Sequence, residues 1–121
     1  MSIHLDLATA LSETFAAHLA APVELKQDAL IVALANGLTV TMRYAARDAY
    51  SLRWRRGDAE CGIDTAPVHS ALATFPNHFH DAAGRTLADP LTDPDAAPAD
   101  NVTRLLRTLV EQPAFGFEAG D

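Results

Sequence analysis

The sequence predicts a single α+β domain, with a helix at each end flanking an antiparallel β-meander of about five or more strands. Apolar residues recur at three- and four-residue steps near both ends, the spacing of one helix face. Between them, short alternating runs are punctuated by Gln-Asp, Asn-Gly and Gly-Asp pairs, as strands and tight turns require. The chain has 121 residues, 49% of them hydrophobic, which suits one packed core rather than two.

Ser2 is placed to cap a helix that starts at Ile3, with Leu7, Ala8, Leu11, Phe15, Ala16 and Leu19 on one stripe and Pro22 as the stop. Val23 and Leu25 then alternate with Glu24 and Lys26 before a turn at Gln27–Asp28. Ala29–Ala35 and Leu38–Tyr44 flank Asn36–Gly37, the strongest two-residue hairpin signal. That turn would pair Ala35 with Leu38, Ala33 with Val40 and Ile31 with Met42 on the buried face. Tyr50–Arg56 and Ala59–Thr65 flank Gly57–Asp58 in the same way. Their expected pairs are Trp54 with Cys61, Leu52 with Ile63 and Tyr50 with Thr65 inside, and Arg55 with Glu60, Arg53 with Gly62 and Ser51 with Asp64 outside. Gly62 marks either a bulge or a space left opposite Arg53.

Beyond Pro67 and Pro76, His78–His80 reads as a short strand, Asp81–Gly84 as a turn and Arg85–Ala88 as a return strand. Asp89 to Pro98 reads as an exposed connection. Asp100 is the expected cap of a last helix carrying Val102, Leu105, Leu106, Leu109 and Val110, stopped by Pro113. Residues 1–112 are thus expected to form the domain and 113–121 a loose tail, unless Phe115 and Phe117 fold back.

The single cysteine, Cys61, excludes an internal disulfide, and alternation places it beside Trp54 as packing. No apolar run has the roughly 20 residues of a membrane helix, and the first residues lack a secretory pattern, so a cytoplasmic protein with no membrane partner is expected. Net charge is −7, unlike a general nucleic-acid coat protein. Yet five of the nine basic residues, Arg43, Arg47, Arg53, Arg55 and Arg56, sit in the middle of the chain. Arg43, Arg53 and Arg55 fall on polar strand faces, where they suit phosphates or an acidic partner; the alternative is a solvated face partly neutralised by Glu60 and Asp64. The sequence holds neither a glycine-rich phosphate loop nor a Gly-x-Ser-x-Gly element.

His69, His78 and His80 lie within twelve residues of one another. In a strand, His78 and His80 point to one side. Flanked by a turn, both are expected to be partly exposed. Two such imidazoles with Asp64 or Asp81 fit a divalent metal, or an acid and a base for RNA cleavage. The plain alternative is a set of loop histidines with no common target.

Tyr50–Ser51 ahead of a strand and turn, then Ile63–Asp64–Thr65–Ala66–Pro67–Val68–His69, then Thr74–Phe75–Pro76–Asn77–His78–Phe79–His80, resembles the TumE-type toxins of bacterial toxin–antitoxin pairs. That family carries Arg-x-Asp-Asn-x-Pro-His-His at a strand end and Phe-Pro-His-His-x-His after it. Asp64, Pro67, His69, Phe75, Pro76, His78 and His80 agree with it, whereas Gly62, Thr65, Val68 and Asn77 replace its arginine, asparagine and two histidines. The likeness covers roughly residues 50 to 112. It implies a growth-inhibiting toxin neutralised by a partner, commonly a helix-turn-helix antitoxin. If the chain is an enzyme, RNA cleavage through Asp64, His69, His78 and His80 is the first expectation, with Arg53 steadying phosphate charge. The alternatives are a protein-binding module using the arginine face and a small metal-binding protein. A second copy of the chain is a further candidate partner.

Overall fold

A computed structural model describes residues 2–118. Helix α1 (Ile3–Thr14) is followed by strands β1 (Glu24–Lys26), β2 (Ala29–Ala33), β3 (Thr39–Ala46), β4 (Ala49–Arg56), β5 (Ala59–Asp64), β6 (His78–His80) and β7 (Thr86–Leu87), then by helix α2 (Pro98–Glu111). The strands form one seven-stranded sheet in sequence order, each antiparallel to the next. The fold is the α+β meander expected from the sequence. No helix among the described residues is long and apolar enough to cross a membrane.

Ser2 caps α1, its hydroxyl accepting the Leu5 N–H at 3.2 Å. The helix ends at Thr14, well short of Pro22. A short 3₁₀ turn follows at Ala16–His18, and Leu19 bridges to Leu34 beside the end of β2. Backbone bonds from Ala20 to Ala33 and from Ala35 to His18, each 2.8 Å, hold the chain there, so sheet-edge pairing overrides the helical stripe beyond Phe15.

The first hairpin differs from its expected register by one residue. Leu30 faces Met42, Val32 faces Val40, and Leu34 bonds to Leu38 around a three-residue loop, Ala35–Asn36–Gly37. Gly37 takes the positive φ of 94° that this loop needs. The physical reason is burial. This register sends Leu30, Val32 and Leu34 into the core, whereas a two-residue turn would have sent the smaller Ala33 and Ala35 there with Ile31. Asn36 fixes the loop from both sides, its Oδ1 accepting the Leu38 N–H and its Nδ2 donating to the Leu109 carbonyl. The second hairpin has the expected ladder pairs from Ser51–Asp64 to Arg55–Glu60, Thr65 lies just past the end of β5 with its N–H on the Tyr50 carbonyl, and Gly62 sits in regular register, with no bulge.

Trp54, Leu52, Val40, Met42, Cys61 and Ile63 form one core with Leu7, Leu11, Phe15, Leu105, Leu106 and Leu109 of the helices. Both helices therefore cover the same face of the sheet. Helix α2 begins at Pro98, a favoured first-turn residue, with Ala97 ahead of it; Asp100 lies inside the first turn and does not cap it.

The Asp89–Pro98 connection is not simply exposed. Asp89 and Thr92 are buried because their polar groups answer one another and Asn77. After α2, Phe115 stacks on Trp54 and Phe79 at centroid distances of 6.0 and 5.3 Å, and its carbonyl accepts the Trp54 indole N–H at 3.2 Å. Phe117 packs against the same core under Arg56. Residues 119–121 of the expected tail lie outside the described residues.

Candidate functional site

The face of the sheet away from the helices follows from the pairing. One row of opposed residues runs Thr41, Arg53, Gly62, His80 and Thr86; the next runs Arg43, Ser51, Asp64 and His78. Cross-strand neighbours on one face stand about 5 Å apart. Asp64 and His78 are therefore set side by side, His80 shares their side two residues on, and Arg53 stands one strand beyond Gly62.

The connection between β5 and β6 folds over this face and delivers His69. Its ring meets His78 edge-on at 4.7 Å and His80 at 6.2 Å, while His78 and His80 are 4.7 Å apart and nearly perpendicular. His78 Nε2 lies 2.8 Å from Asp64 Oδ1, and His80 Nε2 lies 3.5 Å from Asp64 Oδ2. The outer nitrogens also have partners. His78 Nδ1 faces the Pro76 carbonyl at 3.2 Å, and His80 Nδ1 faces the Thr86 hydroxyl at 3.4 Å. Asp64 Oδ1 accepts the Ala66 N–H as well. No hydrogen bond ties the His69 ring to another described residue.

Covered by this connection, His78 is only 1% exposed, unlike the partial exposure expected; His80 and His69 are half-buried. Burial first, and then the positive field of His78, pull the His80 imidazole below its ordinary value; Asp64 opposes this, and Arg53 and His69 add to it. Asp81, the other expected carboxylate, takes no part in the cluster. It is paired with Arg85 at 2.6 Å and accepts the N–H groups of Ala83 and Arg85 in the β6–β7 turn.

The three arginines are exposed on the open face but do not gather. Arg53 is nearest the cluster and 3.5 Å from Glu60; Arg43 lies 3.7 Å from Asp28; Arg55 donates to the Gly57 carbonyl. Exposed pairs of this kind contribute about 0–1 kcal/mol each. Cys61 is buried, and burial pushes its thiol up to about 11, which suits packing and not nucleophilic attack.

A set of supporting residues has no signal in the sequence. Asn77 Nδ2 donates to the Tyr50 hydroxyl, Asp89 Oδ2 and Thr92 Oγ1 at 3.0, 3.0 and 3.2 Å, and Tyr50 and Thr92 share a 2.7 Å bond. Thr74 Oγ1 donates to the Asn77 carbonyl and accepts the Asp89 N–H, both at 2.8 Å. These bonds clamp the chain beside His78 to β4 and to the connection before α2. Such networks join distant positions by tertiary packing, so spacing along the chain does not reveal them.

In comparisons with known proteins, the family model described as Toxin TumE matches residues 12–113. The chain belongs to the TumE toxin family. Neither curated proteins nor solved structures gave a match. The family match takes in the whole sheet, the His69 connection and α2. Membership of this toxin family implies an antitoxin partner.

Proposed function

We propose that this TumE-family toxin arrests growth by acting on RNA in the cytoplasm at the Asp64–His69–His78–His80 cluster, until a helix-turn-helix antitoxin neutralises it. The observation that supports this reading is the convergence of two imidazoles on one carboxylate with a third, His69, edge-on to both, and Arg53 on the same face opposite Gly62. In RNA cleavage a base removes the 2′-hydroxyl proton, O2′ attacks phosphorus, and the P–O5′ bond breaks. The departing O5′ takes up a proton, which leaves a 2′,3′-cyclic phosphate and a 5′-hydroxyl. His69, the imidazole not held by Asp64, moves the proton; such transfers accelerate reactions by roughly 10²–10⁴-fold. Arg53 steadies the phosphate charge, and Arg43 and Arg55 guide the strand along the sheet.

The test is induction of the gene with and without its neighbouring reading frame, scored by growth, with RNA ends mapped in arrested cells. His69→Ala and His80→Ala are the informative variants, since both residues are half-buried. Truncating the buried His78 would leave Asp64 short of a partner and cost on the order of 1–3 kcal/mol. The expected result is arrest by the unaltered chain, relief by either variant at unchanged Tm, and new 5′-hydroxyl ends. No arrest at good soluble yield would refute the toxin reading, and arrest with intact RNA would refute the RNA target.

A further inference from the structure

We propose that Asp64, His78 and His80 form a binding site for one divalent first-row transition ion of the zinc type. The inference takes from the preceding section only that this cluster is the working site, and metal binding is measured apart from growth. Two imidazole nitrogens and one carboxylate converge, with donor atoms all within 4.8 Å of one another. His78 Nε2 lies 2.8 Å from one carboxylate oxygen and His80 Nε2 3.5 Å from the other, near the ligand–ligand edge of about 3.3 Å that follows from bonds of about 2.0–2.1 Å in a tetrahedral site. Small side-chain shifts would admit the ion, leaving at least one position open to substrate or water.

The second observation concerns the outer nitrogens. Both Nε2 atoms aim at Asp64, and both Nδ1 atoms have outer partners, the Pro76 carbonyl and the Thr86 hydroxyl. Outer hydrogen bonds of this kind fix the tautomer of a metal-bound histidine and leave Nε2 free to ligate. In His78 the conflict is sharp: this buried ring faces a carbonyl with Nδ1 and a carboxylate with Nε2, both acceptors. An imidazolium, with two N–H groups, satisfies both, whereas a neutral imidazole has one N–H and satisfies one of them. With the ring neutral and Nδ1–H on the Pro76 carbonyl, a cation bound at Nε2 and shared with the carboxylate takes the place of the second proton.

The donor set selects among ions. Imidazole nitrogens favour zinc, cobalt, nickel and iron(II) over magnesium and calcium. The ligands lie on paired strands, Asp64 opposite His78 and Gly62 opposite His80, so the ladder holds the spacing. Arg53 is the unfavourable neighbour, and Glu60 at 3.5 Å offsets its charge.

The experiment is calorimetric titration of the metal-stripped full chain with zinc, with cobalt(II) absorption as a second readout. The expected result is one ion per chain, a thermal midpoint that rises with zinc, and visible cobalt bands of a low-coordinate nitrogen–oxygen site. Asp64→Asn and His80→Ala should each weaken binding at least tenfold, and His69→Ala should keep the one-to-one stoichiometry. A folded, unaltered chain that takes up neither ion would overturn the site, as would undiminished binding by Asp64→Asn and His80→Ala. Growth arrest by an unaltered chain that binds no metal would overturn this inference alone, whereas metal binding by an unaltered chain that does not arrest growth would overturn the toxin reading alone.

Discussion

Gly116 holds the chain after α2 against the underside of the histidine strand, and replacing it by alanine tests that clamp. Its φ is +85°, and an added Cβ would lie 2.7 Å from Cys61 Sγ, 3.3 Å from Cys61 Cβ and 3.3 Å from Phe79 Cζ. Its carbonyl also accepts the Ala82 N–H at 2.9 Å. Two costs follow. A left-handed backbone costs a side chain about 1–2 kcal/mol, and overpacking adds roughly 1–3 kcal/mol. Together Gly116→Ala should cost about 2–5 kcal/mol, a fall in Tm of roughly 8–20 °C for a chain of this size. Gly84→Ala is the control, since φ is +90° there but nothing lies within 4 Å of the added atom, so only the backbone cost remains. Thermal melts followed by fluorescence read both variants through Trp54, the one tryptophan. In Gly116→Ala its emission should also shift to the red as Phe115 leaves the stack. Adding Cys61→Ala should recover about 1 kcal/mol of the contact cost, a coupling that two distant sites would not give. Equal losses for Gly116→Ala and Gly84→Ala would refute the packing of this segment on Cys61 and Phe79.

Burial raises the phenols of Tyr44 and Tyr50, the only two tyrosines. Their neutral forms are therefore favoured by the fold, and the stability they support is present below the unfolded value of ~10 and lost as pH rises above it. Near-ultraviolet absorbance should show neither phenol ionising at that pH until the protein unfolds, and early ionisation of both would contradict their burial. Gly62→Ala should raise stability by about 0.5–1 kcal/mol, because the new Cβ meets Arg53 Cγ and the Leu52 carbonyl at an ordinary 3.4 Å. A lowered melting temperature would mean that Gly62 is needed as glycine.

How much of the fold was legible depended on what set each register. Gly57–Asp58 allowed one two-residue turn, and alternation on both sides then placed every pair from Ser51–Asp64 to Arg56–Ala59. Asn36–Gly37 is compatible with two-residue and three-residue loops, and the choice between them came from which side chains of β2 the helices bury. The end of α1 departs from the apolar pattern for the same kind of reason, since periodicity through Leu19 does not show that residues 18–20 pair beside β2. At the site, strand alternation put His78 and His80 on one side. The choice of Asp64 over Asp81 required the β5–β6 pairing. His69 lies in an irregular connection between two prolines, where periodicity gives no direction; the resemblance to the TumE family singled it out.

The two carboxylates beside β6 show why one reads as structure and the other as a site. Burial pushes the Asp81 carboxyl up, but the N–H groups of Arg85 and Ala83 and the Arg85 guanidinium outweigh it and leave it below its ordinary value. Every donor around Asp81 comes from its own turn, and the hairpin explains them all. Asp64 has one local donor, the Ala66 N–H, and otherwise faces two imidazoles of another strand, one of them buried. Burying a charged pair seldom adds net stability, because desolvation offsets the attraction, and an apolar pair would pack as well. Edge-on contact of three imidazoles adds mutual repulsion whenever more than one carries a proton. Stability therefore gives no reason for this cluster on an otherwise solvated sheet face. The cation inferred above would supply one, by drawing the carboxylate and the two imidazole nitrogens toward a common positive charge.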